Sequence, residues 1–117
     1  MADNPMSNAI SNTPQPPYNA VIFTSLRTPG DRGYAGTAAR LAELAQAMPG
    51  FLGAESVRDE HGAGITVSYW QSEASMRHWL EQAEHATARQ LGNSGWYEDF
   101  SVRVARVERA YGKERRD

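Results

Sequence analysis

The sequence predicts an α+β protein with the ferredoxin-like order β-α-β-β-α-β, in which two helices cover one face of an antiparallel sheet. Four segments have the β-branched and aromatic composition of strands, and two segments repeat their apolar residues at helical spacing. A short turn at residues 59–62 joins the second and third strands directly, so these two strands form a hairpin.

The first strand is predicted at residues 18–27 and is followed by a helix at residues 34–48. Val21, Phe23 and Ser25 share one face of the strand, and the other face is also mostly apolar, so we expect both faces to be covered. The helix carries an apolar stripe at steps of three and four residues and ends at a Pro-Gly pair. The members of this stripe are Tyr34, Ala38, Leu41, Ala45 and Met48.

The second strand, at residues 51–58, returns through the turn into the third strand at residues 64–70. Ser72 then begins a second helical region that extends to about residue 91. If this helix is continuous, His78, His85 and Arg89 lie in water on the side opposite Met76; a break near residues 82–84 would turn His85 elsewhere. The apolar spacing alone does not decide between these two possibilities.

The last strand is predicted from residue 96 to about residue 111. Phe100, Val102 and Val104 alternate, and Ala105 and Val107 then continue on the other phase. This change of phase predicts a β-bulge or an edge crossing near Val104.

The chain has 117 residues and is expected to form one domain at residues 18–111, between a disordered tail at 1–17 and a charged tail at 112–117. A formal net charge of −2 argues against nucleic acid as a partner. The chain contains no cysteine, no apolar run long enough to span a membrane and no signal-peptide pattern. We therefore expect a cytoplasmic protein that does not bind membranes.

The face of the sheet away from the helices is predicted to carry several apolar side chains. Such a face needs a cover, and a second copy of the same sheet supplies one. The sequence therefore predicts a homodimer.

Three short motifs give the chain a resemblance to a known family: Met48-Pro-Gly-Phe-Leu-Gly53, Tyr69-Trp-Gln-Ser-Glu73 and Trp96-Tyr-Glu-Asp-Phe100. With Trp79 between them, they resemble the antibiotic biosynthesis monooxygenase (ABM) family of dimeric α+β barrels over residues 18–111. The resemblance implies a ligand pocket between sheet and helices in each subunit. It also implies a cofactor-independent monooxygenase that oxidises a small aromatic or quinol substrate with molecular oxygen.

Two other functions are compatible with this resemblance. One is a non-catalytic dimeric protein that binds a small hydrophobic ligand or takes part in a stress response. The other is a haem-binding protein, which is disfavoured because the position ten residues after Trp79 is Arg89, and arginine does not ligate iron.

Six residues are candidates for the site. His85 is the predicted catalytic base because an unperturbed histidine titrates near neutral pH, and Trp79 is a candidate wall of the pocket. Residues expected to bind the substrate are Phe23, Ser25, Trp70 and Tyr97. No cofactor is expected, and the seven-residue spacing of His78 and His85 without a nearby acidic partner argues against zinc.

Overall fold

The computed structural model describes residues 10–31 and 33–113, with the backbone alone at residues 85–94. It contains six elements in the predicted order: β1 (Tyr18–Arg27), α1 (Tyr34–Ala47), β2 (Phe51–Arg58), β3 (Ala63–Trp70), α2 (Glu73–Ser94) and β4 (Tyr97–Val107). The strands form one antiparallel sheet in the order β2-β3-β1-β4. This arrangement confirms the predicted ferredoxin-like α+β fold.

The hydrophobic core lies between the helices and one face of the sheet. Val21 on β1 is packed with Ala45 on α1, Trp70 at the end of β3 and Met76 on α2, all of them buried. Val21 pairs with Ser68 on one side and Val104 on the other, so residues in phase with it also face the helices. Phe23 and Ser25 therefore point to the helix side, as a site between sheet and helices requires.

Each helix begins with a different kind of cap. Ser72 and Ser75 form a reciprocal capping box at the start of α2, with the backbone N–H of each bonded to the hydroxyl of the other, at 3.0 and 3.2 Å. At the start of α1, the Asp31 carboxylate accepts hydrogen bonds from the backbone N–H groups of Gly33 and Ala35. Because α2 is one helix from residue 73 to residue 94, the alternative with a break near residues 82–84 is not observed.

The predicted bulge near Val104 is wrong. The pairing of β4 with β1 is regular from Asp99 to Val107, and its one register shift lies between Leu26 and Arg27, opposite Asp99 and Tyr97. The change of phase has a simpler cause: the apolar residues of β4 change from one face of the strand to the other with no change of register. Phe100, Val102 and Val104 are on the helix side, and Ala105 and Val107 are on the open side.

The open face of the sheet is covered at one end by the segment that precedes β1. Ser11 donates its backbone N–H to the Glu55 carboxylate at 2.9 Å, and the Thr13 hydroxyl lies 2.8 Å from that of Tyr18. Tyr18 and Ala20, both on this face, are buried. The predicted disordered tail thus includes attached residues at 10–17; residues 1–9, like residues 114–117 of the charged tail, lie outside the described residues.

The opposite end of the open face is uncovered in the single chain. Val57 on β2 and Ile65 on β3 are cross-strand partners and are 57% and 48% exposed. Searching the described residues for a helix of membrane-spanning length and apolarity identifies none.

Candidate functional site

Four aromatic rings meet on the helix side, near the point where β1 ends and β4 begins. Tyr97 is at their centre: its ring centroid lies 5.3 Å from that of Phe23, 5.8 Å from Tyr34 and 6.0 Å from Phe100. All three contacts are edge-to-face, a favourable arrangement for aromatic pairs. We call Phe23, Tyr34, Tyr97 and Phe100 the aromatic cluster.

An apolar surface continues from this cluster along β4. Phe100, Val102 and Val104, which we call the β4 strip, face the helix side and are 53%, 45% and 54% exposed. A contiguous exposed apolar surface of this kind marks a place where a ligand or another protein surface binds. The β4 strip and the aromatic cluster together form the candidate site.

Arg58 brings a positive charge to the edge of the aromatic cluster. It is the last residue of β2, and its guanidinium extends across β3 towards β1 and α1. Nη2 donates a hydrogen bond to the Ser25 hydroxyl at 2.7 Å and to the Tyr34 hydroxyl at 3.4 Å, and Nη1 donates to the Gly62 carbonyl. Ser25 is buried, so its hydroxyl fixes the guanidinium from below.

A second arginine lies against the ring of Tyr34. The guanidinium carbon of Arg27 is 3.7 Å from the centroid of this ring, within the range of a cation–π contact. Arg27 also donates hydrogen bonds to the carbonyls of Trp96 and Gly30, at 3.2 and 2.9 Å. The ring of Tyr34 is therefore held in place independently of its hydroxyl.

The hydroxyl of Tyr97 keeps its proton. Burial raises the pKa of Tyr97, and its hydrogen bond to Tyr34 raises it further, while the charges of Arg58 and Arg27 act in the opposite direction. On the open face, burial and hydrogen-bond donation to Glu55 at 2.7 Å raise the pKa of Tyr69. The Tyr97 hydroxyl is thus neutral, and as a neutral phenol it can donate or accept a hydrogen bond within the aromatic cluster.

The structure brings three of the six predicted site residues together: Phe23 and Tyr97 in the aromatic cluster, and Ser25 beneath Arg58. Trp70 lies elsewhere, in the core, with no solvent-exposed surface. Its indole stacks on Trp79 at 5.7 Å and donates a hydrogen bond to the Ser68 hydroxyl at 2.9 Å. Trp79 is partly buried against that core.

His85 lies in the part of α2 for which only the backbone is described. It follows Met76 by nine residues, which is two and a half turns of an α-helix. The unbroken backbone of α2 therefore carries position 85 on the side of the helix opposite Met76, which faces the core.

Sequence reasoning missed Tyr34, Arg58 and Phe100 as site residues. It assigned Tyr34 to the packing stripe of the first helix, Arg58 to the second strand, and Phe100 to the last strand and to one of the family motifs. One signal was present: the 59–62 turn pairs Arg58 with Gly64, and a glycine opposite an arginine leaves room for the guanidinium to cross the neighbouring strand.

Metal-binding groups do not gather at this site. Among the described residues there is no group of three or more acidic or histidine side chains with the spacing to hold a metal ion. His61, at the tip of the β2–β3 turn, is exposed and lies 3.5 Å from Glu60.

Comparison with known proteins places these features in a family. A family model described as antibiotic biosynthesis monooxygenase matches residues 18–91. The uncharacterized protein YqjZ of Bacillus subtilis (strain 168) is 52% identical over 104 residues, which is 89% of this chain and 91% of that protein.

Solved structures show the same fold at much lower identity. A mutant of SnoaB, a cofactor-independent oxygenase from Streptomyces nogalater, superimposes with a TM-score of 0.65 at 17% identity, over 83% of this chain and 98% of its own. Protein SO0527 from Shewanella oneidensis gives a TM-score of 0.64 at 14% identity, over 84% and 97% of the two chains.

Proposed function

The chain belongs to the antibiotic biosynthesis monooxygenase family, and we propose that it is a cofactor-independent monooxygenase acting on a small aromatic or quinol substrate. The observation that carries the proposal is the candidate site itself, where an exposed apolar strip adjoins rings, hydroxyl groups and a guanidinium. A flat substrate with one ionisable oxygen fits such a surface, with its rings on the β4 strip and its oxygen towards the polar edge.

The proposed reaction needs the substrate anion, since the anion is the form that gives electrons to oxygen. A hydroxyaromatic substrate loses its hydroxyl proton and one ring hydrogen and gains one oxygen atom. This is a four-electron oxidation that reduces one O₂; one oxygen atom enters the product as a carbonyl and the other leaves as water. The contribution of the protein is to bind the ring, exclude water and stabilise the oxyanion by hydrogen bonds.

We propose His85 as the base that removes the substrate proton, because the unperturbed pKa of histidine suits proton transfer near neutral pH. The side of α2 that carries position 85 is opposite Met76 and argues against this role, so the following variant decides it. We expect His85→Ala to lower the rate of oxygen uptake by about 100-fold or more, the usual contribution of a general base. His78→Ala is the matched control, because His78 is an exposed histidine on the same helix. Equal rates in the two variants would remove His85 from the mechanism.

The function is tested by oxygen consumption of the purified, metal-free full chain with naphthols, naphthoquinols, anthrones and catechols. We expect oxygen uptake faster than autoxidation for at least one of these substrate classes. With isotopically labelled O₂, one labelled oxygen atom should appear in the product. If no class gives uptake, the protein is better described as a non-catalytic binder of small ligands. A strong visible absorption band of the purified protein would instead indicate a haem-binding protein.

We also propose that the protein is a homodimer in which the open faces of two sheets pack together. The exposed pair Val57 and Ile65 supports this, because neighbouring apolar side chains on a sheet gain stability when a second sheet covers them. The segment at residues 10–17 attaches to β2 and to Tyr18 at the other end of the face, and leaves this pair accessible.

Ile65→Asp is expected to convert the dimer to a monomer at micromolar concentration, because it places a charge in the covered apolar face. Val104→Asp is the control, since Val104 is similarly exposed but lies on the helix side. Light scattering measures both masses. A monomeric mass for the unmodified protein, or an unchanged dimer in Ile65→Asp, would contradict the proposed interface.

A further inference from the structure

The hydroxyl of Tyr34 accepts a hydrogen bond from Arg58 within the candidate site. A guanidinium has only donors, so in the contact between Arg58 and Tyr34 the Tyr34 oxygen must be the acceptor. The neighbouring Tyr97 is a neutral phenol, so its hydroxyl can accept a hydrogen bond from Tyr34 as well as donate one to it. A phenolic oxygen that accepts a hydrogen bond from a guanidinium still has its own O–H to donate, to Tyr97 or to the oxygen of a bound ligand.

This arrangement makes Tyr34 a strong donor. Hydrogen bonds polarise one another. When a hydroxyl oxygen accepts a hydrogen bond from a cation, its own O–H becomes a stronger donor to the next acceptor. The acceptor that benefits most is an anionic oxygen. The ring of Tyr34 belongs to the aromatic cluster, and the cluster continues into the β4 strip through Phe100.

The position of Arg58 depends on Gly64. The two residues are cross-strand partners, and a Cβ atom at position 64 would lie 2.7 Å from the guanidinium carbon of Arg58 and within 3.0 Å of both its terminal nitrogens. Since φ of Gly64 is not in the left-handed region, the glycine is required for space, not for its backbone conformation. The clash involves only the end of a flexible side chain, so a methyl group here displaces Arg58 with little effect on the fold.

On the basis of the function proposed above, we propose that Tyr34 binds the anionic oxygen of a planar hydroxyaromatic substrate, and that Arg58, held above Gly64, is the positioning residue that polarises the Tyr34 hydroxyl. The substrate class is thereby narrowed to phenols, naphthols and enols that bind as their anions. Neutral aromatics without an acidic hydroxyl lack the group that Tyr34 recognises.

The test uses 4-nitrophenol as a probe, because its phenolate has a visible absorption band that the neutral phenol lacks. The full chain is titrated with pH at saturating protein, and the midpoint of the bound probe is compared with that of the free probe. We expect the protein to favour the bound phenolate by about tenfold, the usual scale of one hydrogen bond to a charged group. Tyr34→Phe, which keeps the ring, should abolish this preference.

Two further variants separate positioning from charge. Gly64→Ala keeps the arginine but moves its guanidinium, and Arg58→Gln removes the charge; both should reduce the preference for phenolate at least threefold. Arg77→Gln is the matched control, because Arg77 is exposed on α2 and pairs only with Glu73, at 3.4 Å, among the described contacts. Thermal unfolding of each variant verifies that the fold is intact.

The outcomes distinguish this inference from the proposed function. If the probe titrates identically in the unmodified protein and in Tyr34→Phe, or if 4-nitrophenol does not bind, the inference is overturned, whatever the oxygen-uptake assay shows. If the bound phenolate is favoured and the effect is lost in Tyr34→Phe, the anion site stands even when no substrate supports oxygen uptake. If Gly64→Ala and Arg58→Gln both keep the preference for phenolate seen in the unmodified protein, Tyr34 binds the anion without a contribution from Arg58.

Discussion

Trp70→Ala is expected to lower the free energy of unfolding by about 3–5 kcal/mol, the usual cost of truncating a buried tryptophan. Trp70 is the largest fully buried side chain among the described residues, and its ring contacts Phe51 edge-on at 5.4 Å and stacks on Trp79. The truncation opens a cavity where β2, β3 and α2 meet, and it leaves the buried Ser68 hydroxyl without its indole donor. For a domain of about 100 residues this is a large part of the total stability.

Urea denaturation monitored by circular dichroism measures this effect. Tyr111→Ala serves as the control: Tyr111 is also a large aromatic residue, but it is 87% exposed, so its loss should change the stability by less than about 0.5 kcal/mol. Trp70→Phe should fall between the two, because it retains a ring but loses the hydrogen bond to Ser68. A loss of less than about 1 kcal/mol in Trp70→Ala would show that the core does not depend on this residue.

Gly50→Ala is expected to cost about 2–4 kcal/mol, for two separate reasons. Gly50 has a φ of 86°, in the left-handed region that L-residues adopt only at a cost. An added Cβ would also lie 2.5 Å from both Cβ and Oγ of Ser75, a residue of the capping box of α2. Relief of this clash requires α2 to move away from the turn, where the carbonyl of Gly50 accepts a hydrogen bond from Gln71.

Gly33→Ala isolates the backbone contribution. Gly33 has nearly the same φ, 85°, but an added Cβ there would have no atom within 4 Å, so we expect a cost of about 1–2 kcal/mol. The difference between the two free energies of unfolding, both measured in urea, is the cost of the clash with Ser75. Equal losses of unfolding free energy in the two variants would indicate that the first turn of α2 moves away from the added methyl group at no cost in stability.

The fold could be predicted from the sequence because its signals are local. The strands β1 and β2 begin and end where composition and turns predict, and the stripe from Tyr34 to Met48 corresponds to α1. The bulge was misplaced for a physical reason: apolar residues that change from one face of a strand to the other produce the same sequence pattern as a register shift. The shift at Leu26 and Arg27 is visible only in the pairing of two distant segments.

The candidate site was less predictable because its contacts join three elements that are far apart in the chain. The orientation of Phe23 and Ser25 followed from strand alternation once the covered face was known. The approach of Arg58 to Tyr34, 24 positions apart, depends on the β2–β3 register and on the empty space at Gly64. The role proposed for His85 rested on the pKa of histidine alone, and this gives no orientation.

The stacked pair Trp70 and Trp79 gives this chain an optical property of its own. Two indoles with centroids 5.7 Å apart and planes 18° from parallel are close enough for their electronic transitions to couple. Coupled transitions produce a paired positive and negative band in circular dichroism, and the sign of the pair follows the handedness of the stack. Because one indole belongs to β3 and the other to α2, this signal reports how the helix sits on the sheet, and a ligand that tilts Trp79 can be detected without any label.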